Sequence, residues 1–143
     1  MIPSKVVLVD SAMSRSVVTV LPSARIREAA QLMRERRVGC LVVSMGGPPL
    51  GMLTESDVVR LVAAAADLDR LRVEDAMTRP VVTVRLGSDL DVAAELMRER
   101  RLKRLVVVQG EEIRGVLTVR DVAYGQPELA RAYLASIMAR PDE

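Results

Sequence analysis

An ungapped internal repeat of 64 residues constrains this chain more than any other feature. Gly51-Met52-Leu53-Thr54-Glu55-Ser56-Asp57 returns as Gly115-Val116-Leu117-Thr118-Val119-Arg120-Asp121, and residues 12–58 align with 76–122 at about half identity. Such a repeat means two copies of one supersecondary unit, each too small to bury both faces of its own sheet. The copies should therefore pack sheet to sheet about a pseudo-two-fold axis, which creates two equivalent clefts.

Within each copy the apolar spacing sets the elements. Val17-Val18-Thr19-Val20 and Val81-Val82-Thr83-Val84 are β-branched runs that predict strands. Ile26, Ala29, Ala30 and Met33, like Leu90, Ala93, Ala94 and Met97, fall on one helical face and predict core positions. Leu41-Val42-Val43 and Leu105-Val106-Val107 read as buried strands. Gly46-Gly47-Pro48-Pro49 and Gly110-Glu111-Glu112 turn the chain back into a further strand at Gly51 or Gly115. The expected fold is α/β (α+β), with two β-α-β-β-α units, each built on a small three-stranded sheet. The units span residues 9–66 and 73–124, joined by a linker near 67–72. Val6-Val7-Leu8 is a candidate lead-in strand, and Leu129, Tyr133 and Ile137 predict an amphipathic helix over 127–140.

Composition narrows the function. Half the residues are hydrophobic but Phe and Trp are absent, so the core is aliphatic, with Met33 and Met97 as gap-fillers. Tyr124 and Tyr133 are the only aromatics, which removes most stacking platforms for single-stranded nucleic acid. A balance of 21 basic and 19 acidic residues is no polyanion-binding signature. One cysteine, Cys40, excludes an intramolecular disulfide and is expected buried; with no histidine, a zinc site is disfavoured. Met1-Ile2-Pro3-Ser4-Lys5 lacks signal-peptide character and no apolar stretch approaches membrane length, so a cytoplasmic protein is expected.

The Thr-x-x-Asp of each copy has two readings. It is a capping box, with Thr as N-cap and Asp three residues on, and needs no ligand. It is also a hydroxyl, a carboxylate and a helix N-terminus brought together, which suits a nucleotide.

The ordered and duplicated series of motifs resembles a tandem pair of CBS domains, a Bateman module, over about residues 9–124. The residues that carry the resemblance are Val-x-Asp-x-Met before the first strand, Val-Val-Thr-Val, Leu-Val-Val and Gly-x-x-Thr-x-x-Asp. Val42 and Val106 depart from the family's frequent proline. The resemblance implies a regulatory module, without catalysis or a catalytic cofactor, that senses AMP, ADP, ATP or related adenosyl compounds. It implies that Thr54 and Thr118 approach phosphate and that Asp57 and Asp121 accept the ribose hydroxyls. Adenine would lie against Val17 and Val18, or Val81 and Val82.

The two clefts differ in charge. Lys103 and Arg104 stand where the first copy has Gly39 and Cys40, and Arg120 stands where it has Ser56. The Asp121 cleft is therefore expected to hold phosphates more tightly. Val58, Leu61, Val62 and alanines 63–66 exceed one buried helix face, so a homodimer is expected. Two rival readings remain. One is a partner-docking or structural module with empty clefts, and the other is nucleic-acid binding through the Arg-Glu-Arg-Arg helix ends at 34–37 and 98–101.

Overall fold

The computed structural model describes residues 6–125 and Ala135. Twelve elements follow in order: α1 (Val9–Ala12), β1 (Thr19–Val20), α2 (Ile26–Arg36), β2 (Cys40–Ser44), β3 (Pro49–Thr54), α3 (Glu55–Ala63), α4 (Val73–Ala76), β4 (Thr83–Arg85), α5 (Leu90–Arg100), β5 (Arg104–Gln109), β6 (Glu112–Thr118) and α6 (Val119–Gly125). The strands form two three-stranded sheets, ordered β1-β2-β3 and β4-β5-β6. The expected mixed fold with two small sheets is what the chain adopts. The expected helix over 127–140 lies outside the described residues.

The packing units are not simple halves of the chain. A first-repeat unit comprises residues 16–81 with 111–113, and a second-repeat unit comprises 6–15, 82–110 and 114–125. Each short helical turn thus packs with the sheet of the other repeat.

In the first-repeat unit, β1 runs parallel to β2 (Thr19↔Val42, Val20↔Val43) and β3 runs antiparallel to it (Leu41↔Leu53). Ile26, Ala29, Met33, Leu41, Val43 and Leu53 are buried around Val73 of α4. The chain at α4 is stitched on by Val73 N–H to the Ala24 carbonyl at 2.8 Å and by a reciprocal pair between Met52 and Thr78 at 3.0 and 2.9 Å. Met77 then lies over Gly51, where a Cβ would come within 2.5 Å of its Sδ.

In the second-repeat unit, β4 runs parallel to β5 (Thr83↔Val106, Val84↔Val107). Leu90, Ala93, Ala94 and Met97 are buried with Leu105, Val107 and Leu117 around Val9 and Met13 of the α1 segment. Val9 N–H donates to the Ser88 carbonyl at 2.9 Å, and Ser14 pairs reciprocally with Val116 at 2.9 and 3.0 Å. Met13 covers Gly115 as Met77 covers Gly51, so a side chain at either position would have to displace a methionine, and at Gly115 would also press on the Ser14 carbonyl.

Several local expectations are corrected. Residues 6–8 form no strand: Leu8 makes an isolated bridge to Asp89, and the chain there leads straight into α1. The four-residue runs at 17–20 and 81–84 pair as strands of two and three residues. The alanine-rich helix stops at Ala63, because Ala65 turns left-handed at φ 56° and Ala66 N–H closes onto the Leu61 carbonyl at 3.0 Å. Cys40, expected buried, is half-buried at the start of β2. No helix among the described residues is long and apolar enough to cross a membrane.

Candidate functional site

Both repeats realise the capping box in full. The Thr54 hydroxyl accepts from Asp57 N–H at 3.2 Å, and Asp57 Oδ2 accepts from Thr54 N–H at 2.8 Å. Thr118 and Asp121 repeat this geometry at the same two distances. Extended β3 and β6 deliver each threonine to its helix in the extended conformation an N-cap requires. The next N–H is also taken: Glu55 donates to the Gly39 carbonyl at 3.0 Å, and Val119 to the Lys103 carbonyl at 3.1 Å. Among the described residues, no hydrogen bond outside the helices takes the N–H of Ser56 or Arg120.

The two ends differ in what else reaches the carboxylate. Asp57 is buried, at 9% exposure, and its Oδ1 lies 3.3 Å from Arg60 Nη1. Asp121 is half-buried, and its Oδ1 has no hydrogen-bond partner among the described residues. Lys103 and Arg120 are exposed and Arg104 is half-buried; none of the three is ion-paired among the described residues. The Val119–Lys103 backbone bond puts the Lys103 main chain at the start of α6, one residue before Arg120.

The candidate site residues divide between the units. Val17, Val18, Gly39, Thr54, Asp57 and Val81 belong to the first-repeat unit; Val82, Lys103, Arg104, Thr118, Arg120 and Asp121 belong to the second. Val18 and Val82 occupy equivalent places. Their carbonyls accept from Val42 and Val106 at 3.0 and 3.2 Å, which extends each parallel ladder one residue before β1 or β4. Both strands are sheet edges, so one flank of their backbone is unpaired within its sheet. Gly39 also lines a groove between α2 and α3, and that lining includes neither Thr54 nor Asp57. The sequence reading did not single out Arg60; its place three residues after Asp57 on a helix was the signal that could have found it. Among the described residues no cluster of His, Cys, Asp and Glu could hold a metal ion.

Comparison with known proteins matches this geometry to a family. The CBS domain family model matches residues 9–64 and 73–127. The CBS domain-containing protein YhcV of Bacillus subtilis is 30% identical over 118 residues, covering 82% of this chain and 84% of YhcV. Other curated relatives are longer, and the chain spans 60% and 32% of two of them. The solved structure of the CBS domain protein PAE2072 from Pyrobaculum aerophilum, complexed with AMP, superposes with a TM-score of 0.75 at 30% identity, covering 92% of this chain and 98% of that one. A hexameric CBS-CP12 protein from bloom-forming cyanobacteria superposes at 0.75 and 30% identity, covering 82% of this chain and 70% of its own.

Proposed function

The chain belongs to the CBS domain family as a tandem pair, and on that premise we propose that it is a regulatory module whose Thr118–Asp121 end binds an adenine nucleotide. Tandem CBS modules are regulatory rather than catalytic, and one similar protein of this build is complexed with AMP. The observation that carries the reading is the state of Asp121. One of its oxygens closes the helix cap while the other has no partner among the described residues, beside a segment that bears Lys103, Arg104 and Arg120.

The chemistry follows from those groups. The open oxygen of Asp121 accepts the ribose hydroxyls, a charge-assisted contact about twice as strong as a neutral one. Thr118 and the Arg120 N–H face phosphate, and the three cations neutralise it. With no Phe or Trp in the chain, adenine lies against aliphatic residues, at Val81 and Val82 or at Val17 and Val18, and reads edge-strand backbone. The Thr54–Asp57 end, with Gly39 and Ser56 in place of cations, takes a less charged adenosyl ligand or binds nucleotide weakly. The module works in the cytoplasm as a homodimer and reports nucleotide level to a partner protein.

A thermal shift with AMP, ADP, ATP and the guanine, cytosine and uracil counterparts tests this. A ligand at a hundredfold its Kd stabilises by about 2.7 kcal/mol, so at least one adenine nucleotide should raise Tm by several degrees. No response to any adenine nucleotide refutes the reading and leaves a docking module.

A further inference from the structure

The two sheets differ at the end where the hairpins turn. In the first-repeat unit, Leu21 follows β1, Met45 follows β2 and Leu50 is the second residue of β3. The pairings Val20↔Val43 and Ser44↔Pro49 bring all three to one end of the sheet. They are exposed by 55%, 73% and 38%. One repeat later the same places hold Arg85, Gln109 and Arg114, and Arg114 Nη1 donates to Gln109 Oε1 at 2.6 Å. The apolar end thus belongs to the first repeat alone. A buried serine keeps its turn in shape: Ser44 Oγ accepts from Gly46 N–H at 3.1 Å and donates to the Gly47 carbonyl at 3.0 Å, with Gly46 left-handed at φ 98°. Beside the turn, a groove of about 480 Å³ is lined by Thr19, Ser44, Gly46, Gly47 and the segment 111–113, which brings the exposed Glu111 and Glu112. Glu111 is in no ion pair among the described residues.

We propose that this end of the first sheet is the docking surface for the partner protein, and that the partner presents an amphipathic basic segment, apolar on one side with Lys or Arg beside it. The proposal rests on the partner-protein part of the function above and holds whichever nucleotide binds. Three exposed apolar side chains around one turn make a patch of the kind that marks a protein contact, and methionine adapts to the shape it meets. The carboxylates at its margin favour a cationic partner and turn away the phosphates of nucleic acid or of an anionic membrane. A second copy of this chain docking through the same face would set Glu111 against its own duplicate. Strand addition is blocked as well, because Pro48 and Pro49 have no N–H to give at the start of β3. The contact is therefore made by side chains. Leu21, Met45 and Leu50 supply most of the affinity, and Glu111 selects the partner's charge.

A random dodecapeptide library panned on the immobilised full chain tests this, followed by fluorescence anisotropy of the selected peptides at low salt. Selected peptides should combine Leu, Ile or Val with Lys or Arg. Met45→Ser/Leu50→Ser should weaken their binding about tenfold or more. Glu111→Lys should weaken it about threefold, a loss that shrinks in molar salt. A library that yields no peptide, acidic selected peptides, or binding that survives both variants overturns the proposal. So does sedimentation equilibrium in which the parent self-associates and Met45→Ser/Leu50→Ser does not, because a second copy then covers this face. Circular dichroism checks folding; if the double variant does not fold, Met45→Ser alone should weaken the same peptides. The adenine-nucleotide thermal shift reads the nucleotide site separately, so a parent that binds these peptides but no nucleotide refutes that site and keeps the docking surface.

Discussion

Arg60 Nη1 lies 3.3 Å from Asp57 Oδ1, whereas the residue in the same place one repeat later is Tyr124, whose side chain points to solvent at 83% exposure. The two Thr-x-x-Asp ends share their caps to within 0.1 Å in both hydrogen bonds. Among the described residues they differ in whether the second carboxylate oxygen is taken.

The latch is weak, because the Arg60 side chain is 75% exposed, and such pairs contribute at most about 1 kcal/mol, or roughly fivefold in affinity. Arg60→Met should strengthen adenosyl-ligand binding at the Asp57 end by up to about fivefold in calorimetry. Tyr124→Arg should weaken the Asp121 end by a similar factor. Weaker binding by Arg60→Met would mean that the guanidinium holds the ligand instead of competing with it.

Gly51 and Gly115 should tolerate a methyl group unequally. An added Cβ meets a methionine Sδ at 2.5 Å in both places, but the nearest carbonyl is Thr78 at 3.1 Å from the first and Ser14 at 2.8 Å from the second. A methionine can rotate away and a backbone carbonyl cannot. Both Gly→Ala variants should lose stability in urea unfolding, by about 1–3 kcal/mol, with Gly115→Ala the more costly. Equal losses would show that methionine displacement sets the cost.

The exchanged helical turns predict where damage appears. Val9 and Val73 are fully buried, each in the core of the other repeat's sheet. Truncating such a residue to alanine costs on the order of 2 kcal/mol. Val9→Ala should therefore raise hydrogen exchange in α5 and β5, while Val73→Ala raises it in α2 and β2. Loss of protection in the residue's own repeat would contradict the exchange.

Two surface carboxylates give a pH dependence with a definite sign. A hydrogen bond from Arg27 holds the Asp69 carboxyl below its ordinary range, and one from Arg98 does the same for Glu95. A carboxylate depressed in the folded state contributes stability above its unfolded pKa, and that contribution is lost as pH falls through the folded pKa. Asp69→Asn and Glu95→Gln should be slightly less stable than the parent near neutrality and converge with it in acid. Both pairs are solvent-exposed, so molar salt should shrink the difference at neutral pH.

Much of the fold was legible because the repeat displays each core position twice. Ile26 and Leu90, or Leu53 and Leu117, need only local periodicity to be read as buried, and they are. The turns at Val9–Ala12 and Val73–Ala76 are not legible as helices in the sequence, since four residues hold barely one turn of period. Their destination depends on contacts distant in sequence, Val9 with Ser88 and Val73 with Ala24. The paired Met and Gly of the two motifs carried that information, but only as a three-dimensional fit of Met13 to Gly115 and Met77 to Gly51. The Thr-Asp caps were readable from spacing alone. For the Arg60 latch the spacing from Asp57 only marks a candidate, because an arginine three residues after an aspartate turns outward as readily as it turns back.

The most direct measurement is AMP calorimetry on Asp121→Asn and Asp57→Asn. Asparagine keeps an oxygen to cap Thr118 or Thr54 and removes the charge that a ribose diol would use. A hydrogen bond to a charged group contributes about 1.5–3 kcal/mol, so Asp121→Asn should weaken the tight site tenfold or more while Asp57→Asn leaves it intact. A tight site that survives Asp121→Asn and disappears in Asp57→Asn would contradict the account.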